Sequence, residues 1–139
     1  MTPQKLTETL RQKGICPTAQ RVAVYEYLLT HRTHPTADTL YHALVKDNPS
    51  FSRTTVYNTV HVLAKAGLIR VLTIDADEQH FDAFMGEHGH FWCACCEKLF
   101  DFSLSADTAS SLVSDGFLVE TSDVYATGVC PACQAKVKK

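Results

Sequence analysis

The sequence of 139 residues has no apolar run long enough to cross a lipid bilayer. Its N-terminus, Met1-Thr-Pro-Gln-Lys, lacks the apolar core of a secretory signal peptide. No segment is of low complexity, so we expect one ordinary folded domain or two small ones. These absences predict a cytoplasmic protein. Because the cytoplasm is reducing, the six cysteines are better explained as metal ligands than as disulfides.

The net charge of −2 is close to balanced but is unevenly distributed. Residues 1–80 hold nine Lys and Arg against seven Asp and Glu, whereas residues 81–139 hold four against eight. A basic first part and an acidic second part favour a domain that faces nucleic acid and a separate domain for metal binding or assembly. We therefore expect domains over residues 1–80 and 81–139.

The first part of the chain reads as four short helices followed by a hairpin. Helix starts are predicted by N-capping residues at Thr2, Thr18, Thr36 and Ser52. Two strands are predicted over residues 68–74 and 79–84, joined by a turn at residues 75–78. Helices followed by a two-stranded wing form a winged helix-turn-helix, in which the fourth helix would enter the major groove of DNA.

The fourth helix has an apolar face and a polar face. Val56, Val60 and Leu63 lie at helical spacing and predict the buried face. On the other face, the ring of Tyr57 suits thymine methyl groups, and Arg53 suits a guanine edge or a phosphate. A solvated face, on a protein that does not bind DNA, is the simpler alternative. The candidate DNA contacts are Tyr57, Arg53, Asn58, Thr54 and Lys13.

The second part of the chain holds two cysteine pairs with identical spacing. Cys93 and Cys96 lie in a predicted knuckle between strands at residues 90–94 and 99–102, and Cys130 and Cys133 lie near the C-terminus. Four thiolates form a closed tetrahedral site, which is typical of structural zinc. Cys95 is an alternative ligand, but the pair Cys93/Cys96 keeps the two-residue spacer. A redox dithiol is disfavoured because no βαβ pattern surrounds either pair.

The rest of the second part offers little apolar surface to bury. A helix is predicted over residues 105–115, and residues 117–129 mix apolar and polar residues as strands do. Cys95 and Cys16 are interpreted as spare thiols. A region of under 60 residues buries too little surface to fold alone, so we expect zinc and a partner subunit to stabilise it.

Histidines and carboxylates next to the knuckle indicate a second metal site. The extended segment His88-Gly-His90 projects both imidazoles to one side, and Asp82 and Asp101 flank it. Such ligands suit Fe²⁺, Mn²⁺ or Zn²⁺. Histidines that are simply buried or solvated remain an alternative at this point. A zinc hydrolase or deaminase is a further alternative, but the sequence lacks the His-x-Glu deaminase signature, so we expect no enzyme.

A series of motifs runs along nearly the whole chain. They are Pro17-Thr-Ala-Gln-Arg21, His34-Pro-Thr-Ala-Asp38, Thr54-Thr-Val-Tyr-Asn58, Gly67-Leu, Phe81-Asp82, His88-x-His90-x-x-Cys93-x-x-Cys96-x-x-x-x-Asp101 and Cys130-x-x-Cys133. Together these motifs resemble those of the ferric uptake regulator superfamily of dimeric, metal-dependent repressors. The resemblance implies an α+β fold with an N-terminal winged helix-turn-helix DNA-binding domain. A small C-terminal α/β dimerisation domain with a four-cysteine zinc site would follow.

The resemblance also implies a regulatory Fe²⁺ or Mn²⁺ site to which both domains contribute. Its ligands would be His34, Asp82, His88, His90 and Asp101. The metal would then set the angle between the domains and thereby the affinity for a palindromic operator bound by a homodimer. Two aspartates at the carboxylate positions resemble the peroxide-sensing branch. In that branch, iron-catalysed oxidation modifies a histidine ligand, here His34 or His88. Regulation by iron or zinc status is the alternative.

Two positions depart from the family pattern. Glu97 stands where glycine commonly follows the second knuckle cysteine, and glycine there permits a positive φ. His80 replaces a residue that is often basic or small, and we interpret it as a bystander to the regulatory site.

Overall fold

The computed structural model describes residues 2–84, 86, 88–105 and 107–137. The chain divides into two compact units, Met1–Met85 and Gly86–Lys139. The division falls after residue 85, whereas the sequence placed it after residue 80. The reason is that the second strand of the hairpin pairs with the first strand and therefore stays with the N-terminal unit.

The N-terminal unit is built from helices with capped starts and a two-stranded antiparallel sheet. Side-chain oxygens of Thr2, Thr18, Thr36 and Ser52 each accept a hydrogen bond from the main-chain N–H three residues later, as predicted. No helix in the part of the chain that the structure describes is long and apolar enough to span a membrane. The elements are α1 (Pro3–Gln12), α2 (Ala19–Thr30), α3 (Ala37–Val45), α4 (Arg53–Lys65), β1 (Arg70–Leu72) and β2 (His80–Asp82).

The core of this unit fixes which face of α4 points outward. Val56, Val60 and Leu63, predicted as the apolar face, are all buried. They pack in one cluster with the buried leucines of α1, α2 and α3. Removal of these side chains from water is the main stabilising contribution to the unit. Because this apolar face is buried, the opposite face of α4 lies at the surface.

The C-terminal unit is organised around a three-stranded sheet with the order β4-β3-β5. The central strand β3 pairs antiparallel with β4, as the knuckle predicted, and parallel with β5. The strands are β3 (His88–Cys93), β4 (Leu99–Ser103) and β5 (Tyr125–Gly128), and the helices are α5 (Thr108–Ser111) and α6 (Pro131–Val137).

Two helices of this unit differ from the sequence expectation. The helix predicted over residues 105–115 is reduced to the four residues of α5. The segment is rich in Ser, Thr and Asp, whose side chains compete for main-chain hydrogen bonds, so a long helix is not favoured. In contrast, α6 was not predicted, although Pro131 at its first position is a usual helix-start signal.

Gly89 explains why a glycine separates the two histidines of β3. Gly89 pairs with Phe102 across the β3–β4 ladder, and a Cβ at position 89 would overlap the Phe102 ring. The ring therefore covers the face of the sheet opposite His88 and His90, because alternate residues of a strand point to opposite faces.

Candidate metal centres and nucleic-acid interface

The four predicted zinc ligands meet at one end of the C-terminal sheet. Cys93 ends β3, Cys96 lies in the turn that follows, and Cys130 and Cys133 lie at the start of α6. The parallel pairing of β3 with β5 brings the second pair to the first, since β5 ends at Gly128. The main-chain N–H of Ala94 also donates to the carbonyl of Gly128 (2.8 Å) and extends this pairing to the knuckle.

The sulphur positions fit a tetrahedral zinc ion. All four Sγ atoms lie within 4.8 Å of one another, and Sγ of Cys96 is 3.9 Å from Sγ of Cys130. A Zn–S distance of about 2.3 Å requires neighbouring sulphurs to be about 3.8 Å apart. Cys93, Cys130 and Cys133 are buried, and none of the cysteines forms a disulfide. The thiol set is therefore arranged for a metal ion.

The thiols of this cluster differ in acidity. The main-chain N–H groups of Cys130 and Cys96 both donate to Sγ of Cys93 (3.4 Å each) and lower the pKa of that thiol to about 6. Hydrogen bonding to the Cys130 thiol raises the pKa of Cys133, and burial raises that of Cys96. Several adjacent thiols cannot all ionise to thiolates without a compensating cation, which a Zn²⁺ ion would supply.

The knuckle turn places Glu97 in a left-handed conformation, with φ at 57°. Its main-chain N–H donates to the carbonyl of Cys93 (2.8 Å), which closes the turn. The turn therefore has the positive φ that glycine usually supplies, now on a residue with a side chain. Cys95 in the same turn and Cys16 in the N-terminal unit are both exposed.

In the N-terminal unit, His34 and Asp82 are adjacent and buried. Nε2 of His34 is 3.7 Å from Oδ2 of Asp82, and the side chains are 5% and 3% exposed. His34 lies just before α3 with φ at 54°, a left-handed conformation that is uncommon outside glycine. Oδ1 of Asp82 accepts from the main-chain N–H of Phe84 (2.9 Å), which orients the carboxylate.

In the C-terminal unit, His88, His90 and Asp101 converge on one face of the sheet. Nε2 of His88 is 3.0 Å from Nε2 of His90, which is 3.3 Å from Oδ1 of Asp101. His90 pairs with Asp101 across the β3–β4 ladder, so the strand register itself places the carboxylate. His88 and His90 are buried, whereas 31% of the Asp101 side chain is exposed.

The second ring nitrogen of His88 fixes its orientation. Nδ1 lies 2.8 Å from the carbonyl of Gly86, which can only accept, so Nδ1 carries the proton. Nε2 faces the other imidazole and the carboxylate of Asp101. Histidines that bind metals commonly hold their second nitrogen in this way.

His80 makes contacts with a main-chain carbonyl and with Asp75, outside both groups of candidate ligand atoms. Its Nδ1 lies 2.7 Å from the main-chain carbonyl of His34, and its Nε2 lies 2.8 Å from Oδ2 of Asp75. That hydrogen bond is the main reason why the pKa of Asp75 is lowered. Both nitrogens of His80 are thus occupied within the N-terminal unit.

The residues predicted to contact DNA lie at the surface of the N-terminal unit. Tyr57 is 59% exposed, which is unusual for a tyrosine in a helix whose other face is fully buried. Arg53, Thr54, Asn58 and, at the end of α1, Lys13 are also exposed. Apart from Lys13, these residues share the outward face of α4.

Arg53 is oriented by residues of α3. Its guanidinium forms a hydrogen-bonded ion pair with Asp38, and this contact lowers the pKa of the carboxyl group. The guanidinium carbon also lies 4.6 Å from the centre of the Tyr41 ring. Arg53 is therefore presented in a defined direction at the start of α4.

The family model of the ferric uptake regulators matches residues 12–126 of the sequence. The chain belongs to the ferric uptake regulator family. The peroxide operon regulator of Bacillus subtilis (strain 168) is a 37% identical relative over 132 residues, which cover 93% of this chain and 91% of that protein.

Solved structures of ferric uptake regulator family members resemble the fold. One is PerR from Streptococcus pyogenes, which was solved to explain peroxide sensing and gene regulation. It is 34% identical with a TM-score of 0.54, and the match covers 95% of this chain and 92% of that one. The Helicobacter pylori ferric uptake regulator is 21% identical with a TM-score of 0.79, covering 96% and 95%. The second likeness bears on the fold alone, and it agrees with the predicted winged helix and C-terminal unit.

For this member of the ferric uptake regulator family, the sequence did not predict two contacts that orient candidate ligands. One is the carbonyl of Gly86, which sets the tautomer of His88. The other is the contact of 2.7 Å between Nδ1 of His80, which we interpret as a bystander to the regulatory metal, and the main-chain carbonyl of His34. A main-chain acceptor leaves no trace in residue type, so the first contact had no sequence signal. The His80 contact had a sequence signal, because a histidine stands at a position where the family pattern often has a basic or small residue.

Proposed function

We propose that this chain is a metal-dependent, DNA-binding transcriptional repressor that responds to peroxide. The observations that carry the proposal are two groups of candidate ligands, each oriented within its own unit: His34 with Asp82 in the first unit, and His88 and His90 with Asp101 in the second. They occur in a chain that is 37% identical to a peroxide operon regulator. The N-terminal unit would bind DNA, and the C-terminal unit would bind metal and form the dimer.

The proposed regulatory site takes its ligands from both units. His34 and Asp82 would contribute from the first unit, and His88, His90 and Asp101 from the second. Three nitrogen and two oxygen donors suit Fe²⁺ or Mn²⁺. One ion shared by the two units would favour one arrangement of them over others, so metal occupancy would be coupled to DNA affinity.

The response to peroxide would depend on damage to a ligand. Bound Fe²⁺ would supply the electron transfer that activates H₂O₂ beside the imidazoles. Overall, one peroxide oxygen would be inserted into a ring C–H bond and the other would leave as water, so the ring loses the two electrons that the peroxide gains and the iron is unchanged. An imidazole of His34 or His88 that gains an oxygen atom becomes a poorer donor, and the remaining ligands would hold the metal less tightly. The hydrogen bond to the carbonyl of Gly86 orients the imidazole of His88, so this ring would already lie beside the metal when H₂O₂ reacts.

DNA binding would use the outward face of α4. Tyr57 and Asn58 would read bases or the backbone in the major groove, with Thr54 beside them. Arg53, held by Asp38 and Tyr41, would contact a guanine or a phosphate, and Lys13 a phosphate. A homodimer would bind a palindromic operator.

Exposed apolar side chains in the C-terminal unit support the dimer. Leu112 is 63% exposed, Phe117 is 71% exposed and Leu118 is 87% exposed. Apolar side chains that follow one another at the surface commonly mark a protein interface. A second copy of this chain is the proposed partner.

The test is mass spectrometry of the Fe²⁺-loaded protein before and after brief exposure to H₂O₂, with the Mn²⁺-loaded protein as the matched control. We expect a gain of one oxygen atom at His34 or His88, loss of operator binding in the Fe²⁺ form, and neither change in the Mn²⁺ form. Identical behaviour of the two forms would contradict the peroxide response and favour regulation by iron or zinc status.

A further inference from the structure

The segment that precedes α3 lies along the second strand of the wing. The main-chain N–H of Phe81 donates to the carbonyl of Pro35 (3.0 Å). Thr36 and His80 form an isolated antiparallel bridge. The main chain of residues 34–36 is therefore held by β2, in addition to the pairing of β2 with β1.

The side chain of His80 extends this connection to the turn of the wing. Its Nδ1 lies 2.7 Å from the carbonyl of His34 and its Nε2 lies 2.8 Å from Oδ2 of Asp75. The other carboxylate oxygen of Asp75 accepts from the main-chain N–H of Asp77 (2.9 Å). The ring of His80 therefore bridges the main chain of His34 and the carboxylate of Asp75.

His34 is a proposed ligand of the regulatory metal, so a hydrogen bond to its main chain bears on metal binding. Its φ of 54° is a conformation that persists in a residue with a Cβ only when the surroundings impose it. The His80 bond is made to the carbonyl of this same residue. The direction of the His34 side chain, 3.7 Å from Asp82, follows from that main-chain conformation.

We propose that His80 is a positioning residue that links the turn of the wing to the main chain of His34, so that metal binding by His34 and the order of the turn depend on each other. The inference rests on the proposed function, in which His34 is a ligand of the regulatory metal. If an ordered turn favours the ligand geometry, thermodynamic reciprocity requires that the bound metal also favours the ordered turn.

The test uses the full-length, zinc-loaded protein with Mn²⁺ as the probe. Asp75→Asn removes the anionic acceptor of His80 but keeps an oxygen for the N–H of Asp77. Asp77→Asn removes an equal charge from the same turn without touching His80 and serves as the matched control. Calorimetry gives the Mn²⁺ affinity. Amide hydrogen exchange of residues 75–79, with and without Mn²⁺, gives the order of the turn.

We expect Asp75→Asn to weaken Mn²⁺ binding by about tenfold, a typical loss when a residue that orients a ligand is changed. Mn²⁺ would slow amide exchange in the turn of the wild type and of Asp77→Asn, but not of Asp75→Asn. The thermal unfolding midpoint would be the same in both variants, which distinguishes positioning from general destabilisation. His80→Gln, which can donate from one end only, would reproduce the Asp75→Asn result.

A third variant separates this inference from the function on which it rests. Loss of Mn²⁺ affinity in His34→Ala, together with wild-type affinity and wild-type protection in Asp75→Asn and His80→Gln, would overturn the positioning role alone. Unchanged Mn²⁺ affinity in His34→Ala would instead overturn the assignment of His34 as a ligand, and the positioning role with it.

Discussion

Replacing Glu97 by glycine should strengthen the zinc knuckle. Glu97 has φ at 57°, and a left-handed conformation costs a residue with a Cβ about 1–2 kcal/mol. Glycine avoids that cost but loses more main-chain entropy on folding, which costs about 0.5–1 kcal/mol. The difference is a net stabilisation of about 0.7 kcal/mol, or a roughly threefold higher apparent zinc affinity. Because folding of the knuckle and zinc binding are coupled, the gain should appear in either quantity.

Competition with a chelator at fixed pH measures the zinc affinity of the wild type and three variants. Glu97→Gly should gain the full factor, and Glu97→Asn part of it, because asparagine tolerates positive φ better than most residues. Glu97→Ala keeps a Cβ and should gain nothing from the main chain. Glu97→Ala also removes the negative charge next to the thiolates. An equal gain in the alanine and glycine variants would therefore assign the effect to charge and refute the argument from φ.

Three other substitutions test the remaining parts of the structure. Cys96→Ser should lose zinc and unfold the C-terminal unit, so wild-type zinc content with unchanged circular dichroism would contradict the ligand assignment. Gly89→Ala should destabilise by about 1–3 kcal/mol in urea unfolding because the methyl group meets the Phe102 ring, and the loss should shrink in a Phe102→Ala background. Arg53→Ala should weaken operator binding by about 1–3 kcal/mol if it contacts a base edge, whereas an equal loss on unrelated DNA would indicate a phosphate contact.

Local signals predicted the N-terminal unit well. The hydroxyl groups at Thr2, Thr18, Thr36 and Ser52 act within three residues of themselves, so their capping role is readable from the sequence. The apolar spacing of α4 is similarly local, and it gave both the buried face and the exposed Tyr57.

Contacts between distant residues were harder to predict. The parallel pairing of β3 with β5 joins residues more than 30 positions apart, and no spacing rule indicates a partner at that range. The cysteine spacing nevertheless predicted that Cys93 and Cys130 would meet, because a shared ion requires it. His34 was found only through the family resemblance, since a single histidine before a helix has no pattern of its own. Its place as a metal ligand stays a prediction.

Strand β3 carries residues of both proposed metal centres, and this implies an order of assembly. His90 and Cys93 are three residues apart, so their main-chain positions are about 10 Å apart and their side chains point to opposite faces. Zinc bound at one end would fix the strand and its register with β4, which places Asp101 beside His90. Zinc would therefore have to arrive first. In a cell starved of zinc, newly made chains would be unable to bind the regulatory metal, whatever the supply of iron or manganese.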